Sequence, residues 1–404
     1  MADFYVTLEP LEPYFFGSER KLGDGISEAG SFYFIQSEFV PSQTTLLGMI
    51  RFFLLGQSGG IRDDYQVDES LIGKSSFILS ESIFEDFHKD KVRSVDDVQD
   101  FGVIKGISPL FLVDDEERYY MATPKNHLKD KGIYTPYEMI KVDADGRKGS
   151  YLLKDYNGKT GITRSYARLT DGRIFKMEEL FGSAENIGIH RRSEEEGFFK
   201  KEYKYLRRVM DKPEEGIGQP LRFAFFLSLT DDSEVLSLKL PHFLSKGCLV
   251  KGIVYMGLGK SAFSIKIRKK ENDFWHQAVD LVKRNCPQGL IAYYTVSDTL
   301  FLEQPDLSFA IIETGNFRYL MTQSAKKNKK DYWGRMKRSV LHHVVKPGSM
   351  FWVEKDKEVE FKKSFDIANC KKIGMNQLIG SDDYESTINE DKMFDESACG
   401  KRGY

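Results

Sequence analysis

Apolar and polar residues alternate with a period of two in many short stretches of this chain, the pattern of half-buried strands. Phe4 to Leu8, Leu110 to Val113, Arg118 to Ala122, Leu221 to Leu229, Leu249 to Met256, Ala262 to Ile267, Gly289 to Val296 and Ser349 to Val353 carry it. Asp114-Asp115-Glu116-Glu117 lies between two aromatic-rich arms and predicts a hairpin tip. Helical spacing is rarer. After Pro41, Ser42, Thr44 or Thr45 can cap a helix whose Leu46, Leu47, Ile50, Phe53 and Leu54 share a face, with Gly56 as its end. Phe274 to Arg284 places Trp275, Val279 and Val282 on one face before Pro287-Gln288-Gly289 stops it. Strands outnumber helices, and both halves hold helices to pack on them, so the expected class is α+β.

The length of 404 residues implies two domains or three. Lys212-Pro213-Glu214-Glu215-Gly216 is a charged Pro/Gly stretch before a fresh strand-rich half, which predicts an N-terminal domain over 1–215 and a C-terminal one over 216–380. Within the first, an acidic stretch predicts an outward insertion at about 57–105. A Gly-rich basic stretch at about 140–175 predicts a long flexible loop or an extended hairpin. Residues 381–404 are acidic and read as a disordered tail.

Charge narrows the partners. Lys plus Arg is 59 against 61 Asp plus Glu, so any polyanion site must be a local patch. Cys248, Cys286, Cys370 and Cys399 show no paired spacing, which argues against zinc ribbons and disulfide frameworks and for reduced thiols. The N-terminus lacks a basic leader. The apolar stretch Met49 to Leu55 is far short of the ~20 residues a membrane span needs, so a cytoplasmic location without membrane contact is expected.

Several chemistries fail on spacing. Gly259-Lys260-Ser261 and Gly158-Lys159-Thr160 lack the earlier glycine of a phosphate-binding loop, since Val254 and Leu153 stand there. Gly257-Leu258-Gly259-Lys260-Ser261-Ala262 fits a dinucleotide fingerprint, but a strand pattern follows where that fold needs a helix. The same turn can be an anion site, because glycines admit a phosphate close to backbone N–H groups and Lys260; it can equally be a plain hairpin turn. No motif of a hydrolase or metal site is found, so no catalytic residue, metal or cofactor is assigned. His190, in a basic setting, is either a structural histidine or a general base for RNA cleavage.

Bases cluster at Arg164 to Arg173, Arg191 to Arg208, Lys260 to Lys270 and Lys326 to Arg338, the last interleaved with Tyr332 and Trp333. Such interleaving suits single-stranded nucleic acid, where cations hold phosphates and rings stack bases. Solvated loops are the alternative.

The order of motifs resembles one family, the repeat-associated mysterious proteins (RAMPs) of CRISPR effector complexes. Phe39-Val40-Pro41-Ser42-Gln43-Thr44-Thr45-Leu46-Leu47-Gly48-Met49-Ile50-Arg51 is similar to its first helix. Ser108-Pro109-Leu110-Phe111 with Tyr119 to Pro124 resembles its hairpin, and Asn186 to His190 with Glu196 to Tyr203 its β-arm. Met256 to Phe263, Ala292 to Thr295, Val345 to Trp352 and Ile373 to Gly380 narrow the likeness to the type III-B Cmr branch, subunit three. Asn376 departs from the second glycine expected in the last motif.

The resemblance implies two fused ferredoxin-like (RRM-like) domains. It implies a groove for the single-stranded 5′ repeat-derived tag of the crRNA, and contacts with the large polymerase/cyclase-like subunit and with other RAMP subunits. No catalysis is implied, the alternative being a RAMP endoribonuclease using His190. The RNA-binding residues expected from this overlap are Arg20, Lys21, Thr45, Arg51, Arg191, Arg192, Lys200, Lys201, Gly257, Gly259, Lys260, Ser261, Lys372, Gly374 and Asn376.

Overall fold

A computed structural model describes residues 2–22, 33–59, 67–73, 77–79, 99–128, 132–144, 147–157, 164–192, 195–210, 218–230, 233–244, 249–257, 259–270, 274–283, 286–322 and 336–382. Most of the expected tail over 381–404, most of the acidic insertion and most of the Lys326 to Arg338 cluster lie outside them; Ser381, at the start of that tail, is buried and bonded to Ala292.

A nine-stranded antiparallel sheet forms the centre. Its N-terminal strand, Ala2–Pro10, pairs on one side with Arg222–Leu229 and on the other with Ser261–Lys269. Leu249–Met256 closes one edge, paired only with Ser261–Lys269 among the described residues. On the far side of Arg222–Leu229 come Phe111–Val113, Tyr119–Ala122, Ser165–Arg168 and Ile174–Lys176.

Period-two patterning sets the layers, because alternate side chains leave opposite faces. Phe4, Val6 and Leu8, with Phe223, Phe225, Phe263, Ile265 and Ile267, enter one core beside Leu46, Leu47, Ile50, Phe53 and Leu54 of the helix Gln43–Ser58. Tyr5, Ala224 and Phe226 enter a second core against the helix Trp275–Lys283 and a four-stranded sheet of Phe309–Ile311, Met350–Glu354, Leu290–Thr295 and Leu378–Gly380. The far face of that sheet buries Ile291, Tyr293, Phe351 and Val353 against Phe361 of the helix Glu358–Ser364.

The α+β class follows from this mix of mostly antiparallel sheets and few helices. The expected boundary at 212–216 lies outside the described residues. The sheet runs across it: Arg222–Leu229 pairs with Ala2–Pro10 on one edge and Phe111–Val113 on the other, and its two apolar faces enter the two cores. Two ends of the acidic insertion turn inward rather than outward, since Leu71, Phe77 and Leu79 are buried in the first core. The Gly-rich stretch takes its hairpin form, Met139–Ala144 with Arg147–Leu153.

The first helix starts as expected at Ser42, whose hydroxyl accepts from the Thr45 amide, but it runs two residues past Gly56 to Ser58. The Asp114 hairpin forms, yet its first acid is no exposed tip. Asp114 is fully buried and accepts from the amides of Glu116 and Arg118, the Arg118 guanidinium and the Tyr120 hydroxyl.

Candidate functional site

A long hairpin of Phe181–Arg192 and Glu195–Leu206 forms an arm. Its second strand runs parallel to Tyr33–Ser37, which pairs in turn with Gly17–Leu22, giving a four-stranded sheet. That register collects four of the expected RNA-binding cations. Lys200 and Lys21 are the cross-strand neighbours of Phe34, and Lys201 and Arg20 those of Ile35. The side chains of Arg20 and Lys21 lie outside the description.

The Gly-Lys turn meets this sheet. The Lys201 ammonium lies 3.8 Å from the Phe15 ring centre and 4.7 Å from that of Tyr203. A Cβ placed on Gly259 would stand 3.6 Å from the same ammonium. Phe15 fastens the turn from below, its amide donating to Ser261 Oγ at 2.9 Å. Gly257 has φ +71° and packs so close that a Cβ there would be 2.7 Å from the Phe15 carbonyl. Lys260 is exposed and left-handed, with φ 50°, and its amide closes the turn on the Gly257 carbonyl at 3.1 Å.

The Lys201 ammonium thus stands against Gly259, next in sequence to the exposed Lys260. Neither Lys201 nor Lys260 has a carboxylate partner among the described residues. The nearest acid with a contact in the turn region, Glu12, accepts from the Ala262 amide at 3.3 Å. Lys200 is less available, being 2.7 Å from Glu185. The arm is anchored by Glu202, Lys204, Ser183 and Gln36. Burial alone would raise the Glu202 carboxyl, but hydrogen bonds from Lys204, Ser183 and Gln36 hold it below the usual range.

Other expected residues stand elsewhere. Arg191 and Arg192 pair by backbone with Glu196 and Glu195 near the arm's tip. Arg191 is five residues beyond Asn186, the partner of Lys201, and so about 17 Å along the strand. Their side chains, and that of His190, lie outside the description. Thr45 belongs to the helix start, its hydroxyl 2.9 Å from Ser42 Oγ. Arg51 donates to the Gly73 carbonyl at 3.2 Å.

The C-terminal turn does a structural job where a ligand contact was expected. Gly374, with φ +82°, presses on the Ser108 carbonyl, which a Cβ would approach to 2.5 Å. Asn376 is buried and left-handed, with φ 54°; its amide group bonds the Leu300 amide at 2.8 Å and the carbonyls of Leu300 and Phe365 at 2.9 and 2.8 Å. Its backbone amide donates to the Asp298 carbonyl, so no donor is left over for a phosphate. Lys372 donates to the Gln99 carbonyl at 3.0 Å. Ser108 is bonded to Phe226, the partner of Tyr5, whereas the Gly-Lys turn lies past Pro10, the partner of Phe263. The two glycine turns therefore sit at least about 17 Å apart along the strand direction. Gly374 and its turn therefore do not meet the Gly-Lys turn.

Phe15 is the residue that sequence reasoning missed. Its signal in the sequence is the aromatic stretch Tyr14-Phe15-Phe16-Gly17 just after a strand.

No protein-family model matches the chain, and no curated protein matches it. Solved structures similar to it include a chain of a type III-B Cmr-beta complex in the apo state, at 12% identity over 65% of this chain and 96% of that one, with a TM-score of 0.25. A chain of type III-B Cmr-beta bound to cognate target RNA is similar at 11% identity over 66% and 96%, with a TM-score of 0.23. Among the described residues no helix is long and apolar enough to cross a membrane.

Proposed function

We propose that this chain is a non-catalytic, guide-RNA-binding subunit of a type III-B CRISPR (Cmr) effector complex, holding the 5′ repeat-derived tag at the turn 257–261. The observation that carries this reading is the Lys201 ammonium held against Gly259, beside the exposed Lys260. A single-stranded phosphate backbone fits there: the glycines admit it closely, and the Lys201 and Lys260 cations neutralise it. The ordered RAMP-like motifs support the same assignment. In this reading the chain is cytoplasmic, works beside the large polymerase-like subunit and other RAMP subunits, and makes or breaks no bond.

The test is binding of a short single-stranded tag RNA to the full chain across a salt series. Each phosphate contact contributes about 0.7 to the slope of log K against log salt for single strands, so Lys201→Ala with Lys260→Ala should flatten it by about 1.4. An unchanged slope, or no affinity for RNA, defeats the proposal.

A further inference from the structure

The edge strand Leu249–Met256 leaves one whole face uncovered. Val250, Val254 and Met256 point into the first core, while Leu249, Ile253 and Tyr255 on the other face are 55%, 60% and 56% exposed. Leu11, 53% exposed, continues the patch, because its amide bonds Ala262, the cross-strand partner of Tyr255. Apolar side chains lined up on a strand whose outer edge has no partner among the described residues are what proteins ordinarily cover or break up.

Cations stand inside the apolar row. Lys251 is the direct cross-strand partner of Lys266, and like charges so placed repel. Neither has a carboxylate partner among the described residues. Their neighbour Arg268 is already engaged with Glu117 and lies over the Tyr5 ring, and the acid nearest in register on this face, Glu9, opposite Ser264, stands one strand further in. The free chain thus holds an uncompensated charge pair between exposed aliphatic side chains.

We infer that this edge is a docking strip for an extended strand of a partner protein, one that carries aliphatic and carboxylate side chains in turn at every second position, and so on a single face. Such a strand would satisfy the open backbone edge, place acid beside Lys251, with Lys266 one strand further in, and cover Leu249 and Ile253. A second copy of this chain fits poorly, since pairing two such edges would bring the lysine pairs towards each other. RNA fits poorly as well, because of the three exposed apolar residues on the strand only Tyr255 can stack a base. The inference is independent of the RNA assignment, which concerns the turn.

The test uses the full-length chain and two labelled synthetic peptides, one a Glu-Ile peptide of repeat Ile-Thr-Glu-Thr, the other its Lys-Ile counterpart of repeat Ile-Thr-Lys-Thr, with oligouridylate as a third probe. The Glu-Ile peptide should bind at least about tenfold more tightly and slow deuterium exchange of the amides at 249–256. Lys251→Glu with Lys266→Glu should invert the preference between peptides, and Ile253→Ser should weaken both. All three positions leave the core untouched, and an unchanged melting curve confirms it. Equal affinity for the two peptides, protection confined to other strands, stronger protection of 249–256 by oligouridylate, or self-association of the free chain each overturns the inference.

Discussion

The ammonium of Lys201 lies 3.8 Å from the centre of the Phe15 ring, which joins the arm to the strand end that carries the Gly-Lys turn. A cation over a ring face is worth about 0.5–1 kcal/mol at an exposed site, more where water is excluded. A double-mutant cycle with Phe15→Leu and Lys201→Met should therefore give a coupling of about 0.5–1 kcal/mol in urea denaturation. Lys201→Arg should retain most of it. Strict additivity would show that the contact contributes nothing.

Gly257 and Gly48 offer opposite responses to the same substitution. Gly257→Ala places a Cβ against the Phe15 carbonyl in a left-handed backbone, so a loss of roughly 1–3 kcal/mol is expected, together with weaker RNA binding. Gly48 lies inside the helix Gln43–Ser58 with nothing within 4 Å of its Cβ position. There Gly48→Ala should add about 0.5–1 kcal/mol and leave RNA binding unchanged. Guanidinium denaturation of the two variants measures both.

Acid should loosen the arm. Glu202 titrates below the ordinary carboxylate value; burial opposes this, but Lys204, Ser183 and Gln36 outweigh it. Glu313 behaves alike, with Lys125 and Arg164 overcoming its burial. A folded pKa below the unfolded one contributes stability that is complete above the unfolded value, about 4.3, and vanishes as pH falls through the folded one. Denaturation midpoints should hold steady from neutral pH to about 5 and drop below about 4, and Glu202→Gln should shrink that drop. A midpoint that does not fall in acid contradicts the ion-pair account.

The comparison of pattern with structure is instructive at particular places. The strand Leu249–Met256 was legible to the residue, because alternation at an edge records which face is buried. The helix start at Ser42 was legible because capping is local chemistry. Asp114 was misread, since only the fold brings the Tyr120 hydroxyl and the Arg118 guanidinium around it. Asn376 was misread for the same reason: its partners Leu300 and Phe365 are 76 and 11 residues away.

By itself, then, the sequence determined the α+β class, most strands of the central sheet, the first helix and the turn at Gly257, all of which rest on periods and caps that act within a few residues. Tertiary structure decided which cations share a surface. Lys201 meets the Gly259 turn because the arm's register and Phe15 bring them together, while Lys372 is carried off to Gln99 by the packing of its own helix. Long-range register, set by burial on both faces of one sheet, is not written in the spacing of charges along the chain.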